Sequence, residues 1–152
     1  MCDHCGCRAF APIAELTEEH ERILAMAWAL AEAAGNGADP PADEAEALLA
    51  LLQVHAAKEE RGLYPELVEL GELSGQDRGL LEHEHRALRG ALEAGAFDRH
   101  HYYELANHIE VEETELFSAA RFAFEEPEWD AMAAAHLDLD RRLEALDAGS
   151  GT

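Results

Sequence analysis

Residues 55–65 read His55-Ala56-Ala57-Lys58-Glu59-Glu60-Arg61-Gly62-Leu63-Tyr64-Pro65, and residues 108–118 read His108-Ile109-Glu110-Val111-Glu112-Glu113-Thr114-Glu115-Leu116-Phe117-Ser118. Laid over one another, both spell His-x-x-x-Glu-Glu-x-x-Leu-aromatic. A shorter pair precedes them: Glu19-His20-Glu21-Arg22-Ile23 against Glu84-His85-Arg86-Ala87-Leu88. Each half of the chain therefore supplies a lone histidine and then a His-x-x-x-Glu. Residues four apart on an α-helix share a face, one turn from each other.

That face is the apolar one each time. His20 continues the stripe Ile13–Leu16 into Ile23 and Leu24. Leu48, Leu52, His55 and Glu59 form a second stripe, and Leu81, His85, Leu88 and Leu92 a third. Leu105, His108, Glu112, Leu116 and Ala119 form the fourth. This spacing predicts amphipathic helices. It also points six polar groups into an apolar core, where each unpaired group costs several kcal/mol.

Helix punctuation sets the boundaries. Pro12 suits a helix start, and the first helix runs to about Ala34. The loop Gly35 to Pro41 follows, with Asp39 as an N-cap for a second helix running to about Tyr64. Pro65 is expected to break or kink it. Gly71 to Gly75 is a loop. Ser74 and Asp77 cap a third helix ending near Gly95, and a fourth runs from near Asp98 to about Phe124. Pro127 opens a fifth, with Met132, His136, Leu139, Leu143 and Leu146 on one face. Short loops between long amphipathic helices predict an all-α, up-down antiparallel four-helix bundle with an additional C-terminal helix. The division is a Cys/His-rich tail over 1–11, the bundle over 12–146, and a disordered tail over 147–152. Trp28 and Phe122 are expected in the core.

The heights of the histidines agree. His20 lies 14 residues before Ala34 and His55 lies 14 after Pro41, so each sits roughly 21 Å from their shared turn. His85 lies 10 residues before Gly95 and His108 lies 10 after Asp98. Each histidine meets its hairpin partner at one level, with each glutamate one turn along. Two levels of ligands suggest two metal ions bridged by two carboxylates, held by His20, His55, Glu59, His85, His108 and Glu112. Mixed imidazole and carboxylate suits iron or manganese, whereas structural zinc favours closed sites richer in thiolate.

Composition narrows the partners. The formal net charge is −22 over 152 residues, a surface that repels nucleic acid and anionic membranes. No apolar run is long enough to span a bilayer, and Met1 to Arg8 lacks the apolar stretch of a secretory signal. A cytoplasmic location is the expectation. Cys2, Cys5 and Cys7 sit together with His4, so no disulfide framework exists. Four soft ligands within six residues form either a zinc or copper(I) cluster, a redox handle, or a tail with no specific ligand.

The pattern His20, His55-x-x-x-Glu59, His85, His108-x-x-x-Glu112 resembles the hemerythrin-like (HHE cation-binding) family. The segments Lys58 to Pro65 and Glu82-His83-Glu84-His85 carry the same likeness, which spans about Pro12 to Phe124. The resemblance implies a bundle holding two iron ions, bridged by carboxylates and by an oxo or hydroxo group, with manganese or zinc as substitutes. It implies binding of, or reaction with, dioxygen, hydrogen peroxide or nitric oxide, in peroxide, oxidative or nitrosative stress handling. A catalase-like peroxide-consuming oxidoreductase is the enzymatic form of that reading. Reversible oxygen binding or storage, and iron or oxygen sensing through a partner protein, stand as alternatives. The oxygen carriers place a further histidine on the third helix, where only His85 stands here, and an aspartate where this chain has Glu112. A ferritin-like oxidase is disfavoured, because that class uses Glu-x-x-His.

Remaining histidines read as bystanders. His83 points away from His85, and His100 is expected in solvent. His101 lies about 10 Å from His108 along the axis, too far for the same metal level. His136 is expected to pack rather than to ligate. Gly62 serves either close helix packing or space beside the metals. Tyr64 is a candidate either for a hydrogen-bond donor behind the metal ligands or for a redox partner.

Overall fold

The computed structural model describes residues 10–38 and 41–150. Cys2, His4, Cys5 and Cys7, and Asp39 with its expected capping role, lie outside them. The chain folds as five helical rods, and the described residues contain no strand. The first rod is α1 (Ala11–Gly35). The second joins α2 (Ala42–Lys58), a π turn (Glu59–Leu63) and α3 (Tyr64–Glu69). The third is α4 (Gly75–Glu93). The fourth joins α5 (Arg99–Val111), a second π turn (Glu112–Leu116) and α6 (Phe117–Ala123). The fifth is α7 (Glu126–Ser150), which continues beyond the end of its apolar stripe.

Local chemistry explains the ends. The Ser74 hydroxyl accepts from the backbone N–H of Asp77 at 3.0 Å and starts α4. Asp98 starts α5 through a reciprocal box: its carboxylate accepts from the His101 N–H, and the His101 ring accepts from the Asp98 N–H. His101 is thus a capping residue. Gly95, between α4 and α5, has φ 68°, a left-handed conformation that a side chain would strain.

Pro65 does not break the second rod. One extra residue in the preceding turn lets the Tyr64 N–H bond the Glu59 carbonyl, five residues back. Pro65 then falls in the first turn of α3, where its missing N–H costs nothing. The second π turn repeats this bond from the Phe117 N–H to the Glu112 carbonyl, without any proline. Both π turns therefore begin on the glutamate of a His-x-x-x-Glu, and such insertions recur at functional sites.

Around the bundle α1 touches α2, α2 touches α4, α4 touches α5, and α5 returns to α1. The rod α7 lies against α1, α2 and the first π turn. Two apolar clusters fill the interior. One contains Ile13, Leu16, Leu63, Leu67 and Phe117; the other contains Ile23, Ala27, Leu52, Leu105 and Ile109. Along α1 the gap between them falls at His20, so a polar layer lies between two apolar plugs.

Two sequence expectations need correction, and one open alternative is decided. Phe122 is 81% exposed and Trp28 is 39% exposed, so neither is core. Phe122 stands under the Arg121 guanidinium, and Trp28 packs edge-on against Tyr102. Size and apolarity alone suggested burial, but Trp28 meets a neighbouring helix only along one edge and Phe122 is left to solvent. Gly62 does not open space beside the polar layer. A Cβ there would lie 3.3 Å from Ala135 Cβ and 3.5 Å from His136 Cδ2, so the glycine permits close approach of α7.

Candidate metal centre

The six polar residues singled out in the sequence converge in the layer between the plugs. His20, His55, Glu59 and Glu112 form one group whose candidate ligand atoms lie within 4.8 Å of one another. Glu59, His85, His108 and Glu112 form a second group within the same limit. The groups share both glutamates. Each of the six residues is at most 3% exposed.

The helical pairs meet as the four-residue spacing requires. His55 Nε2 lies 3.2 Å from Glu59 Oε1, and His108 Nε2 lies 3.2 Å from Glu112 Oε1. Across helices, His20 Nε2 lies 3.4 Å from Glu112 Oε1 and 3.6 Å from Glu59 Oε2. His85 Nε2 lies 3.3 Å from Glu59 Oε1 and 2.9 Å from His108 Nε2. Every Nε2 thus faces the centre.

Every Nδ1 faces outward onto another carboxylate. His55 Nδ1 donates to Glu19 at 2.8 Å and His85 Nδ1 donates to Glu60 at 3.2 Å. His108 Nδ1 faces Glu84 at 3.5 Å, and His20 Nδ1 faces Glu113 at 3.6 Å. The four outer glutamates form a ring. Each rod of the bundle supports the histidine of the next: α1 that of α2, the second rod that of α4, α4 that of α5, and the fourth rod that of α1. These residues had no assigned role in the sequence reading. Their signal was present, as the Glu before His20 and His85 and the second Glu after Glu59 and Glu112. Carboxylates in this position fix the imidazole tautomer of a metal-binding histidine.

Tyr64, a candidate donor on sequence grounds, does support a carboxylate of the site. Its side chain is fully buried, and its hydroxyl donates to Glu112 Oε2 at 2.7 Å. Burial and the Glu112 charge push its pKa well above the usual value, so the phenol keeps its proton and stays a donor. Phe117 stacks on His20 with ring centroids 5.6 Å apart. His83 and His100 are exposed. His136 is buried but belongs to neither group; its Nδ1 donates to Glu15 at 2.6 Å.

The orphaned atoms test whether metals fit. Both oxygens of Glu59, Oε1 of Glu112, and Nε2 of His20 and of His55 are buried without a hydrogen-bond partner. Buried polar atoms in native proteins are almost always paired. Facing orphans of this kind, all nitrogen and carboxylate oxygen, are the donor set of a divalent cation, and two shared carboxylates make room for a pair of ions.

Protons take the place of metal when metal is removed. Burial opposes charge on the imidazoles, yet the carboxylates outweigh it. Glu59 and Glu60 hold His85 up at about 9, and Glu112 and Glu84 hold His108 up at about 10. His20 and His55 are raised too. Glu59 is driven well below the usual range despite its burial, with His55 the foremost cause. A folded pKa above the unfolded value of 6.5 stabilises the fold fully below pH 6.5. That stability is lost as the pH climbs through about 9 to 10. The melting temperature of metal-free protein should therefore fall between pH 6.5 and 10, and that of metal-loaded protein should fall much less. A flat profile for the metal-free protein would contradict this electrostatic account.

A family model, the hemerythrin HHE cation binding domain, matches residues 11–99. Comparisons with curated proteins and with solved structures gave no match. The matched stretch holds His20, His55, Glu59 and His85. His108 and Glu112 lie beyond it and join the site through the fold. None of the helices among the described residues is long and apolar enough to cross a membrane.

Proposed function

The chain belongs to the hemerythrin HHE cation-binding family, and from that premise we propose that it is a non-haem di-iron protein of the cytoplasm that reacts with hydrogen peroxide, dioxygen or nitric oxide. Peroxide consumption in stress handling is the role proposed first. The observation that carries this reading is the pair of donor groups sharing Glu59 and Glu112. The shared carboxylates would hold two ions side by side, and such a pair would supply the two electrons that a peroxide bond takes up.

The residues of the chain have separable tasks in it. His20 and His55 would hold one ion, His85 and His108 the other, and Glu59 and Glu112 both. When bound, the iron pair supplies the redox chemistry. Glu19 and Glu60 accept from His55 and His85, keeping those Nδ1 atoms protonated and their Nε2 atoms aimed inward, while Glu84 and Glu113 face His108 and His20 across a longer gap. Tyr64 fixes Glu112 by one hydrogen bond and presents a neutral phenol proton at its rim. The plugs, with Leu52, Leu105 and Ile109 on one side and Leu16 and Phe117 on the other, exclude bulk water.

The test is elemental analysis of protein produced with ample iron, then peroxide consumption and oxygen evolution with Glu59→Ala protein as control. About two iron ions per chain and turnover well above the control are expected. Stoichiometric zinc without iron or manganese would overturn the iron assignment. Turnover no greater than that of the control would overturn the peroxide reaction. A second reading, reversible oxygen binding, draws on the seclusion of the centre, since Glu59 and Glu112 are fully buried. It predicts a lasting optical adduct with dioxygen that disappears under vacuum.

A further inference from the structure

Lys58 stands between His55 and Glu59 in sequence but takes no part in either donor group. Its side chain is 2% exposed, and its ammonium contacts three carboxylates: Glu15 at 2.6 Å, Glu19 at 2.6 Å and Asp140 at 3.0 Å. Glu19 is the carboxylate that accepts from His55 Nδ1, through its other oxygen. An unbroken line therefore runs from Asp140 on α7 through Lys58 and Glu19 to His55. Asp140 and Lys58 also line an open groove of about 460 Å³ between α1, α2 and α7.

Among the described residues, the second half of the molecule has no buried counterpart to this cation. Lys58 follows His55 by three residues, and the residue three after His108 is Val111. Glu84, which faces His108, is 34% exposed, so water screens its charge. Arg78 and Arg89 approach Glu60, Arg78 by a bond to its backbone carbonyl. Arg78 is 33% exposed and Arg89 half-buried, so their charges are screened in a way that the buried Lys58 charge is not.

We infer that Lys58 is a positioning residue that raises the reduction potential of the ion held by His20 and His55, by drawing the charge of Glu19 away from His55 Nδ1. A carboxylate accepting from a metal-bound imidazole makes that imidazole a stronger electron donor and favours the oxidised metal. An ammonium sharing the carboxylate weakens that donation. Its own buried charge adds to the effect, because a positive charge in a low-dielectric interior disfavours the more positive metal state. Through Asp140, the helix α7, which lies outside the stretch that matches the family model, takes part in setting the chemistry of the centre.

The inference rests on the di-iron reading, and the experiment separates the two. Iron-loaded wild type, Lys58→Met and Asp140→Asn proteins are titrated electrochemically with mediators, following the iron chromophore. In Lys58→Met one couple should move to more negative potential by at least a tenfold change in its equilibrium constant, about 59 mV for one electron. The other couple should move much less. Asp140→Asn removes a negative charge from the half-exposed end of the line and should move the same couple in the opposite, positive direction. Its side chain is 42% exposed, so this variant folds even where Lys58→Met does not. Two unshifted couples in Asp140→Asn, or shifts of the same sign in both variants, would overturn the role of Lys58 while leaving the di-iron reading intact. A wild type that takes up iron without any redox couple, or no iron at all, would overturn both.

Discussion

Replacing Glu59 with alanine should reduce the metal content from two ions per chain to one or none. Glu59 belongs to both donor groups, so its loss removes a ligand from each position at once. It also leaves His55, His85 and His20, all within 3.6 Å of its oxygens, without that buried acceptor. Glu112→Ala should act in the same way, with the added cost that the Tyr64 hydroxyl loses its acceptor. An unsatisfied buried donor of that kind costs about 1–3 kcal/mol. His108→Ala touches one group only and should cost one ion. His83→Ala and His100→Ala should cost none, since both side chains lie in solvent. Elemental analysis after anaerobic loading and dialysis reads all five variants. Full metal content in Glu59→Ala would show that the shared carboxylate does not bridge, and the paired-ion reading would fall with it.

Phe117→Ala should destabilise the metal-free protein by about 3–5 kcal/mol, the usual cost of truncating a buried aromatic. Phe117 is fully buried in the plug that carries Ile13, Leu16 and Leu67. It also stacks nearly parallel to the His20 ring, at an interplanar angle of 4°. The cavity would open directly beside a polar layer, where helices anchored on both sides cannot collapse to fill it. A second consequence follows for the site. His20 Nδ1 meets Glu113 only at 3.6 Å, so the stacked ring is its principal support, and the position it shares with His55 should lose affinity. Urea unfolding measures the first effect and metal titration the second. A loss below about 1 kcal/mol would mean that the plug relaxes around the gap.

Much of this centre is legible without coordinates because of where its residues fall in the helical period. A histidine and a glutamate four apart on an apolar stripe must share a buried face, whatever the rest of the chain does. Doing so twice, with lone histidines at matched heights, leaves few arrangements that do not bring the six groups together. The family model reaches residue 99, yet the internal repeat identifies His108 and Glu112 beyond it. Helix ends were legible where a side chain acts on its own turn, as at Ser74 and Asp98.

Other features were out of reach for identifiable reasons. A large apolar side chain does not reveal whether a neighbour covers it, so Trp28 and Phe122 read as core although they are exposed. Pro65 read as a break, because the pattern of residues does not reveal an extra residue stored in the turn before it. Gly62 read equally as packing or as space, and the choice depended on α7, whose placement no local rule supplies.

The helices, the polar layer and the identity of the six inward groups follow from residue order alone, through a period of 3.6 residues and the cost of burying charge. Which carboxylate supports which histidine is settled by how the rods pack. Glu19, Glu60, Glu84 and Glu113 each act on a ring carried by a different rod, and contacts between rods depend on crossing geometry rather than on spacing along the chain. The same holds for Lys58. Its position between two inward residues marks it as unusual, but that its ammonium meets Glu15, Glu19 and Asp140 is fixed by the packing of α1 and α7 on α2, where burial turns a surface type of charge into a local determinant of the centre.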